Sequence, residues 1–255
     1  MMLLLAVLLG LVVGSFLNVC IVRLPEDESV VSPRSHCREC GDAIAWHDNI
    51  PVASFVLLGG RCRRCGAPIP PRYVLVEVLT GVLFGLVAMQ ELPPAQTALQ
   101  MGIAAAMVVI TFIDLDHFLI LDVITLPSIA ASPLLAWSIG HVALQDSLLG
   151  IVGGGGGLWL FAWLYEKLRH REGMGMGDAK LLAMIGGLLG WQASVFSLFA
   201  GSLVGSVVGI GAMLMRRRGL DMAIPFGPFL ALGALLYMFA GPQVIDFWLD
   251  HPALP

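Results

Sequence analysis

The sequence predicts an all-α, polytopic membrane protein with about eight transmembrane helices and one sizeable extramembrane loop region between helices 1 and 2. Three observations support this fold class. The 255 residues are 58% hydrophobic and only 13% charged, whereas a soluble domain carries about 25% charged residues. The mean hydropathy is +0.87. Finally, the basic residues segregate to alternate connections between the apolar segments.

The apolar segments define the predicted helices. A transmembrane helix requires about 20 predominantly apolar residues, and we assign eight: 1–22, 73–91, 97–113, 123–143, 147–165, 179–191, 193–215 and 226–246. The sixth is short. The first segment lacks a preceding basic region and ends at Arg23, so it is expected to be a membrane anchor and not a cleavable signal peptide.

The distribution of charge predicts the orientation. With eight spans, all 14 Lys and Arg residues lie on one side, and the positive-inside rule makes that side cytoplasmic. Both termini are then outside the cytoplasm. Seven or nine spans would break this segregation. No basic stripe or nucleic-acid-reading motif is present, so a nucleic acid partner is not expected.

The extramembrane region, residues 23–72, contains two C-x2-C pairs. A glycine follows each pair and suits the tight turn that brings both sulfurs to one metal. The pairs are Cys37 with Cys40 and Cys62 with Cys65. Four thiolates at this spacing can close a tetrahedral zinc site, and disulfides are disfavoured in a reducing cytoplasm. Because no coordination position is left for water, the zinc is predicted to be structural, and this segment to be a cytoplasmic zinc-binding loop.

An aspartate follows alternating glycines in "GMGMGDAKLLA", which begins at Gly173. Asp178 lies at the start of the sixth segment, and Lys180 follows it. A carboxylate here could simply interact with a helix N-terminus, with Lys180 extending to the membrane surface. That explanation does not account for Gly173, Gly175 and Gly177, which remove side chains from one edge of the backbone and so let another chain approach it closely.

A second acidic cluster occurs in "FIDLDHFLILD", which contains Asp114, Asp116 and Asp122. The predicted topology places it on the same membrane face as Asp178. Two adjacent carboxylates share a proton, so one can deprotonate water while the other protonates a carbonyl oxygen. This chemistry is that of aspartic peptide hydrolysis.

Five stretches together resemble one family. They are "GSFLNVCIVRLP" (14–25), the paired C-x2-C loop, "FIDLDHFLILD", "GMGMGDAKLLA" and "IPFGPFLALGA" (224–234). In this order they resemble the bacterial type IV prepilin peptidases, bifunctional leader peptidases and N-methyltransferases of the GxGD membrane aspartic proteases. The resemblance covers essentially the whole chain.

The resemblance implies specific roles. Asp178 matches the GxGD aspartate, and Asp114 matches the first catalytic aspartate, seven residues before the family's Pro-Asp pair. Here Leu121 replaces that proline, which leaves Asp116 as the alternative. Residues 73–255 would be the membrane-embedded protease core. Gly175, Gly177 and Lys180 would shape the site.

The resemblance further implies the substrates, cofactor and location. The substrates are type IV prepilins and type II secretion pseudopilins, cleaved at the cytoplasmic face of the bacterial inner membrane. S-adenosylmethionine would be the methyl donor, and the intact cysteines favour both activities. The rival readings are a peptidase without methyltransferase activity, and a non-enzymatic scaffold or small-solute transporter.

Glu77 and Asn18 could each have a functional or a structural role. Glu77 lies about one turn inside the second segment. It could serve the substrate amine or methyl transfer, or pair with Arg72 or Arg23. Asn18 could line the substrate site or form an interhelical hydrogen bond.

Overall fold

The described part of the chain is built mainly from helices, with one long, largely non-helical connection at residues 24–71. The computed structural model describes residues 1–169, 175–216 and 224–250, with only the backbone described for 215–216 and 242–250. Within these residues there is no β-strand, and the only bridges are His36 with Ala43 and Arg61 with Pro68. The all-α prediction is therefore confirmed. The chain divides into two compact units, 1–109 and 110–255.

The first unit contains α1 (Met2–Arg23), α2 (Ala53–Leu57), α3 (Arg72–Ala88) and the beginning of α4 (Pro94–His117). Helices α1 and α3 pack closely. A Cβ on Gly10 would lie 2.7 Å from the Cα of Gly81, and a Cβ on Gly14 would lie 2.7 Å from the Cα of Glu77. Small residues therefore let the two backbones approach, as is common between membrane helices.

The second unit continues with α5 (Asp122–Ile139), α6 (Leu144–Leu149), a π-helical stretch (Gly150–Gly156), α7 (Gly157–Arg169), α8 (Met176–Leu189), α9 (Trp191–Arg216) and α10 (Gly227–Asp250). Helix α8 contacts α5, the π-helical stretch, α9 and α10. Every residue from Asp178 to Leu189 is buried except Lys180. Asp178 thus lies in the first turn of a helix that other helices of this unit enclose.

Each predicted transmembrane segment coincides with a helix, but not every helix is long. Within the residues that the structure describes, five helices are long and apolar enough to cross a membrane: Met2–Glu26, Pro94–His117, Asp122–Ile139, Leu144–Arg169 and Trp191–Leu214. Helix α3 has 17 residues and α8 has 14. The chain is therefore a multi-pass membrane protein. Within the described residues the expected total of eight is not reached by length and composition, because α3 and α8 have fewer than 18 residues and the fully described part of α10 is Gly227–Gly241.

Candidate active site and metal centre

Asp178 lies in the first turn of α8. The helix begins at Met176, after Gly175 adopts extended backbone angles (φ −67°, ψ 137°). The side chain of Asp178 is buried, with 9% of the residue exposed, and its N–H donates to the carbonyl of Gly175 at 3.2 Å. The partial positive charge at a helix N-terminus stabilises a carboxylate at this position.

Asp114 lies in the last turns of α4, and the N-terminus of α10 holds it in place. It is 5% exposed, and its Oδ2 accepts a 2.9 Å hydrogen bond from the N–H of Gly227. It is also near enough to Asp178 for the two carboxylates to interact electrostatically. Asp116 is exposed. The structure therefore brings Asp114 and Asp178 together and places Asp116 elsewhere on the helix.

Two glycines permit the close packing beside these aspartates. A Cβ on Gly227 would lie 2.6 Å from Oδ2 of Asp114, and a Cβ on Gly177 would lie 2.9 Å from the Cβ of Ile120. Neither position could accept a side chain without movement of its neighbour. A Cβ on Gly175 would make an ordinary 3.7 Å contact with Oδ2 of Asp178. Of these three positions, packing requires glycine at 177 and 227 but not at 175. Gly173 lies outside the described residues.

The connection between α4 and α5 inserts an apolar side chain at the site. Phe118 has a positive φ of 54°, an unusual conformation for a bulky residue, and its N–H donates to the carbonyl of Asp114 at 3.0 Å. The chain then buries Ile120, which is 8% exposed. Ile120 lies against both Gly177 and Gly227. Sequence reasoning missed Ile120 because a single isoleucine among apolar residues carries no signal.

Lys180 forms an ion pair with Asp122. Its Nζ lies 2.6 Å and 2.9 Å from the two carboxylate oxygens, and both side chains are partly exposed. Asp122 is the first residue of α5. The pair therefore links the first residue of α5 to α8 at a position two residues beyond Asp178.

The four cysteines of the first unit form one cluster. Their sulfur atoms all lie within 4.8 Å of one another, and the Sγ atoms of Cys37 and Cys65 are 3.8 Å apart. Sulfurs bound tetrahedrally to zinc at about 2.3 Å are separated by about 3.8 Å. The residues present therefore fit a metal ion held by four thiolates.

Each cysteine pair is built by the same turn. The N–H of Gly41 donates to the carbonyl of Cys37 at 2.9 Å, and that of Gly66 to Cys62 at 2.9 Å. Both glycines have φ of 73°, the left-handed region that favours glycine. The expected role of glycine after each pair is confirmed. The backbone N–H groups of Cys40 and then of Glu39 lower the pKa of the Cys37 thiol to about 7.

Asn18 of α1 and Glu77 of α3 each make a hydrogen bond to the backbone of another segment. Glu77 is 8% exposed, and its Oε2 accepts a 2.8 Å hydrogen bond from the N–H of Val52. Val52 has φ of 60°, which is strained for a β-branched residue. Asn18 donates to the carbonyl of Tyr73 at 3.0 Å. Asn18 therefore makes the interhelical hydrogen bond, and Glu77 holds the loop.

Comparison with known proteins gives concordant matches along the chain. The family described as "Bacterial Peptidase A24 N-terminal domain" matches residues 8–91, and the "Type IV leader peptidase family" matches residues 101–210. No solved structure gives a significant match.

Three curated relatives carry the name prepilin leader peptidase/N-methyltransferase. The protein of Aeromonas hydrophila is 39% identical over 96% of this chain and 92% of its own length. That of Pseudomonas aeruginosa is 37% identical over the same shares. The Neisseria gonorrhoeae protein is 38% identical over 97% of this chain and 95% of its own.

Proposed function

Since this chain belongs to the type IV leader peptidase family, we propose that it cleaves the leader peptide from type IV prepilins and type II secretion pseudopilins and methylates the new N-terminus. The family predicted from the motifs is confirmed. A non-enzymatic scaffold or transporter is not supported, because the curated relatives are named as enzymes over at least 92% of their length.

One observation carries the peptidase assignment: Asp114 and Asp178 are both buried and interact electrostatically. Two such carboxylates hold one proton between them. The ionised member takes a proton from water, whose oxygen attacks the scissile carbonyl carbon, and the protonated member donates to the carbonyl oxygen. Collapse of the tetrahedral intermediate breaks the C–N bond, and the leaving nitrogen takes up a proton.

The surrounding residues position this pair. Gly227 holds the carboxylate of Asp114 through its N–H, and Gly177 allows Ile120 to pack beside the site. Gly175 leaves its backbone edge open, which supports the approach of an extended substrate next to Asp178. Lys180, paired with Asp122, fixes the start of α8 relative to α5.

We place the site at the cytoplasmic face of the bacterial inner membrane. The helices α3, α8 and α10 also cross the bilayer in this proposal, giving eight spans with both termini outside the cytoplasm. The segregation of all 14 basic residues to alternate connections supports that arrangement. The loop region of residues 23–72 then lies in the cytoplasm, where its four cysteines bind a structural zinc ion.

Methylation requires a donor. S-adenosylmethionine supplies a methyl group bound to a positively charged sulfur, and the amine released by cleavage accepts it. We assign the donor role to S-adenosylmethionine because it is the general biological source of such methyl groups, and the relatives' names specify N-methyl transfer.

The experiment uses purified protein in detergent with a prepilin, and mass spectrometry of the product with and without S-adenosylmethionine. We expect loss of the leader in both samples and one added methyl group only when the donor is present. Cleavage without methylation would restrict the protein to a peptidase. An uncleaved prepilin, with a related enzyme active in parallel, would contradict the proposal.

A further inference from the structure

The first unit contains a cavity that the peptidase mechanism does not use. Its volume is about 440 Å³, and it is lined only by residues between His36 and Glu77. Small-molecule sites have volumes of about 300–1,000 Å³ and mostly apolar walls with a few polar groups. This cavity has that character, since Ile50, Phe55 and Ile69 contribute apolar surface and Tyr73 an aromatic ring with a polar end.

A buried acid forms part of the cavity wall. Glu77 is 8% exposed and lines the cavity. One of its oxygens, Oε2, accepts the hydrogen bond from the Val52 N–H. Among the described residues, Glu77 meets the Val52 N–H and the Ser15 side chain, both neutral. A buried carboxylate with only neutral donors is costly. Such a group in the wall of a cavity is suited to a cationic ligand.

We propose that this cavity binds the methyl donor, S-adenosylmethionine, with Glu77 facing its positive charge. This inference rests on the proposed methyltransferase function. The sulfonium ion supplies a cation for Glu77, and the nucleoside occupies the apolar walls beside Phe55 and Tyr73. The lining also includes Arg38, whose guanidinium is suited to the donor's carboxylate.

The transfer itself requires no further reagent. The lone pair of the neutral substrate amine forms an N–C bond with the methyl carbon as the C–S bond breaks. The electron pair of that bond remains on sulfur, leaving a neutral thioether, and the methylated ammonium releases one proton to solvent. Glu77 acts in this scheme by binding the cationic donor.

A purely structural role for Glu77 makes different predictions. In that case its function is to hold the strained residue Val52, whose φ is 60°, through the 2.8 Å hydrogen bond. Glu77→Gln keeps an acceptor oxygen for the Val52 N–H and removes only the negative charge. The variant therefore separates charge recognition from loop anchoring.

The test measures binding of radiolabelled S-adenosylmethionine to the full-length protein in detergent by equilibrium dialysis. Glu77→Gln should weaken binding about tenfold or more, the change expected for losing one charge-assisted contact. Ala45→Trp, which places a large side chain at the cavity wall, should abolish binding. Both variants should retain prepilin cleavage and their metal content.

Two matched controls use residues outside the cavity. Glu28→Gln removes an exposed carboxylate, and Val56→Trp adds the same side chain at a position that is 69% exposed. Both should bind the donor as the wild type does.

The outcomes distinguish this inference from the proposed function. If wild-type protein methylates its product, and Glu77→Gln and Ala45→Trp bind the donor as tightly as wild type, the cavity is not the donor site. If wild-type protein neither binds the donor nor methylates, the methyltransferase assignment itself is wrong. Weakened binding with intact cleavage in both variants supports the site.

Discussion

Gly227→Ala should displace the carboxylate of Asp114 from the backbone N–H that holds it, while leaving the aspartate itself unchanged. The new Cβ would lie 2.6 Å from Oδ2 of Asp114 and 3.2 Å from its Cγ. To restore ordinary van der Waals contact, the carboxylate must withdraw by roughly 0.8 Å. The 2.9 Å hydrogen bond from the Gly227 N–H would then exceed hydrogen-bonding range.

The expected loss follows from that bond. A hydrogen bond to a charged group contributes about 1.5–3 kcal/mol, so kcat/KM for prepilin cleavage should fall roughly 10- to 150-fold. The assay is cleavage in detergent followed by gel or mass spectrometry. Gly102→Ala is the matched control, because a Cβ there has no neighbour within 4 Å. A folded Gly227→Ala protein with wild-type kcat/KM would refute the reasoning.

Three other perturbations have defined outcomes. Ile120→Ala should destabilise the protein by about 2–5 kcal/mol and lower the rate of cleavage. Leu119 is exposed, so Leu119→Ala should unfold at nearly the wild-type temperature. Equal destabilisation by the two variants would contradict the packing role of Ile120. Lys180→Gln breaks the partly exposed ion pair with Asp122, so the free energy of unfolding should fall by less than about 1 kcal/mol. A larger fall would contradict the small contribution expected of an exposed pair. Cys37→Ser should reduce the zinc content of the protein, measured by atomic absorption, and make the loop region more sensitive to proteolysis. An unchanged zinc content would contradict the four-thiolate site.

The parts of the fold that followed from sequence are those with strong local signals. Apolar runs located a helix at each of the eight expected segments, and the two C-x2-C pairs located a cluster that closes to within 4.8 Å. The glycines after each pair were expected for a tight turn, and both have φ of 73°. These features depend on hydrophobic length and short-range backbone geometry.

Contacts between segments far apart in the chain could not be predicted from the sequence. Gly227 holds Asp114 across 113 residues, and Ile120 packs against helices that begin far along the chain. The structural alternatives for Glu77 considered arginine partners, whereas its observed partner is the backbone N–H of Val52. Pairings of this kind are set by tertiary packing and leave no local pattern.

The choice between Asp114 and Asp116 depended on both the sequence and the structure. Two residues along a helix rotate a side chain by about 200°, so Asp114 and Asp116 point in different directions from α4. The structure buries Asp114 and leaves Asp116 exposed. The spacing identified the alternatives, and burial separates them.

The central claim, that Asp114 and Asp178 form the catalytic pair, is tested most directly by cleavage kinetics of single Asp→Asn variants. Asparagine preserves the side-chain shape but cannot exchange the proton that the pair shares. We predict that Asp114→Asn and Asp178→Asn bind prepilin but do not cleave it, while Asp116→Asn cleaves at a rate within a few-fold of wild type. Cleavage by folded Asp178→Asn at the wild-type rate, in a preparation free of other peptidases, would contradict the account.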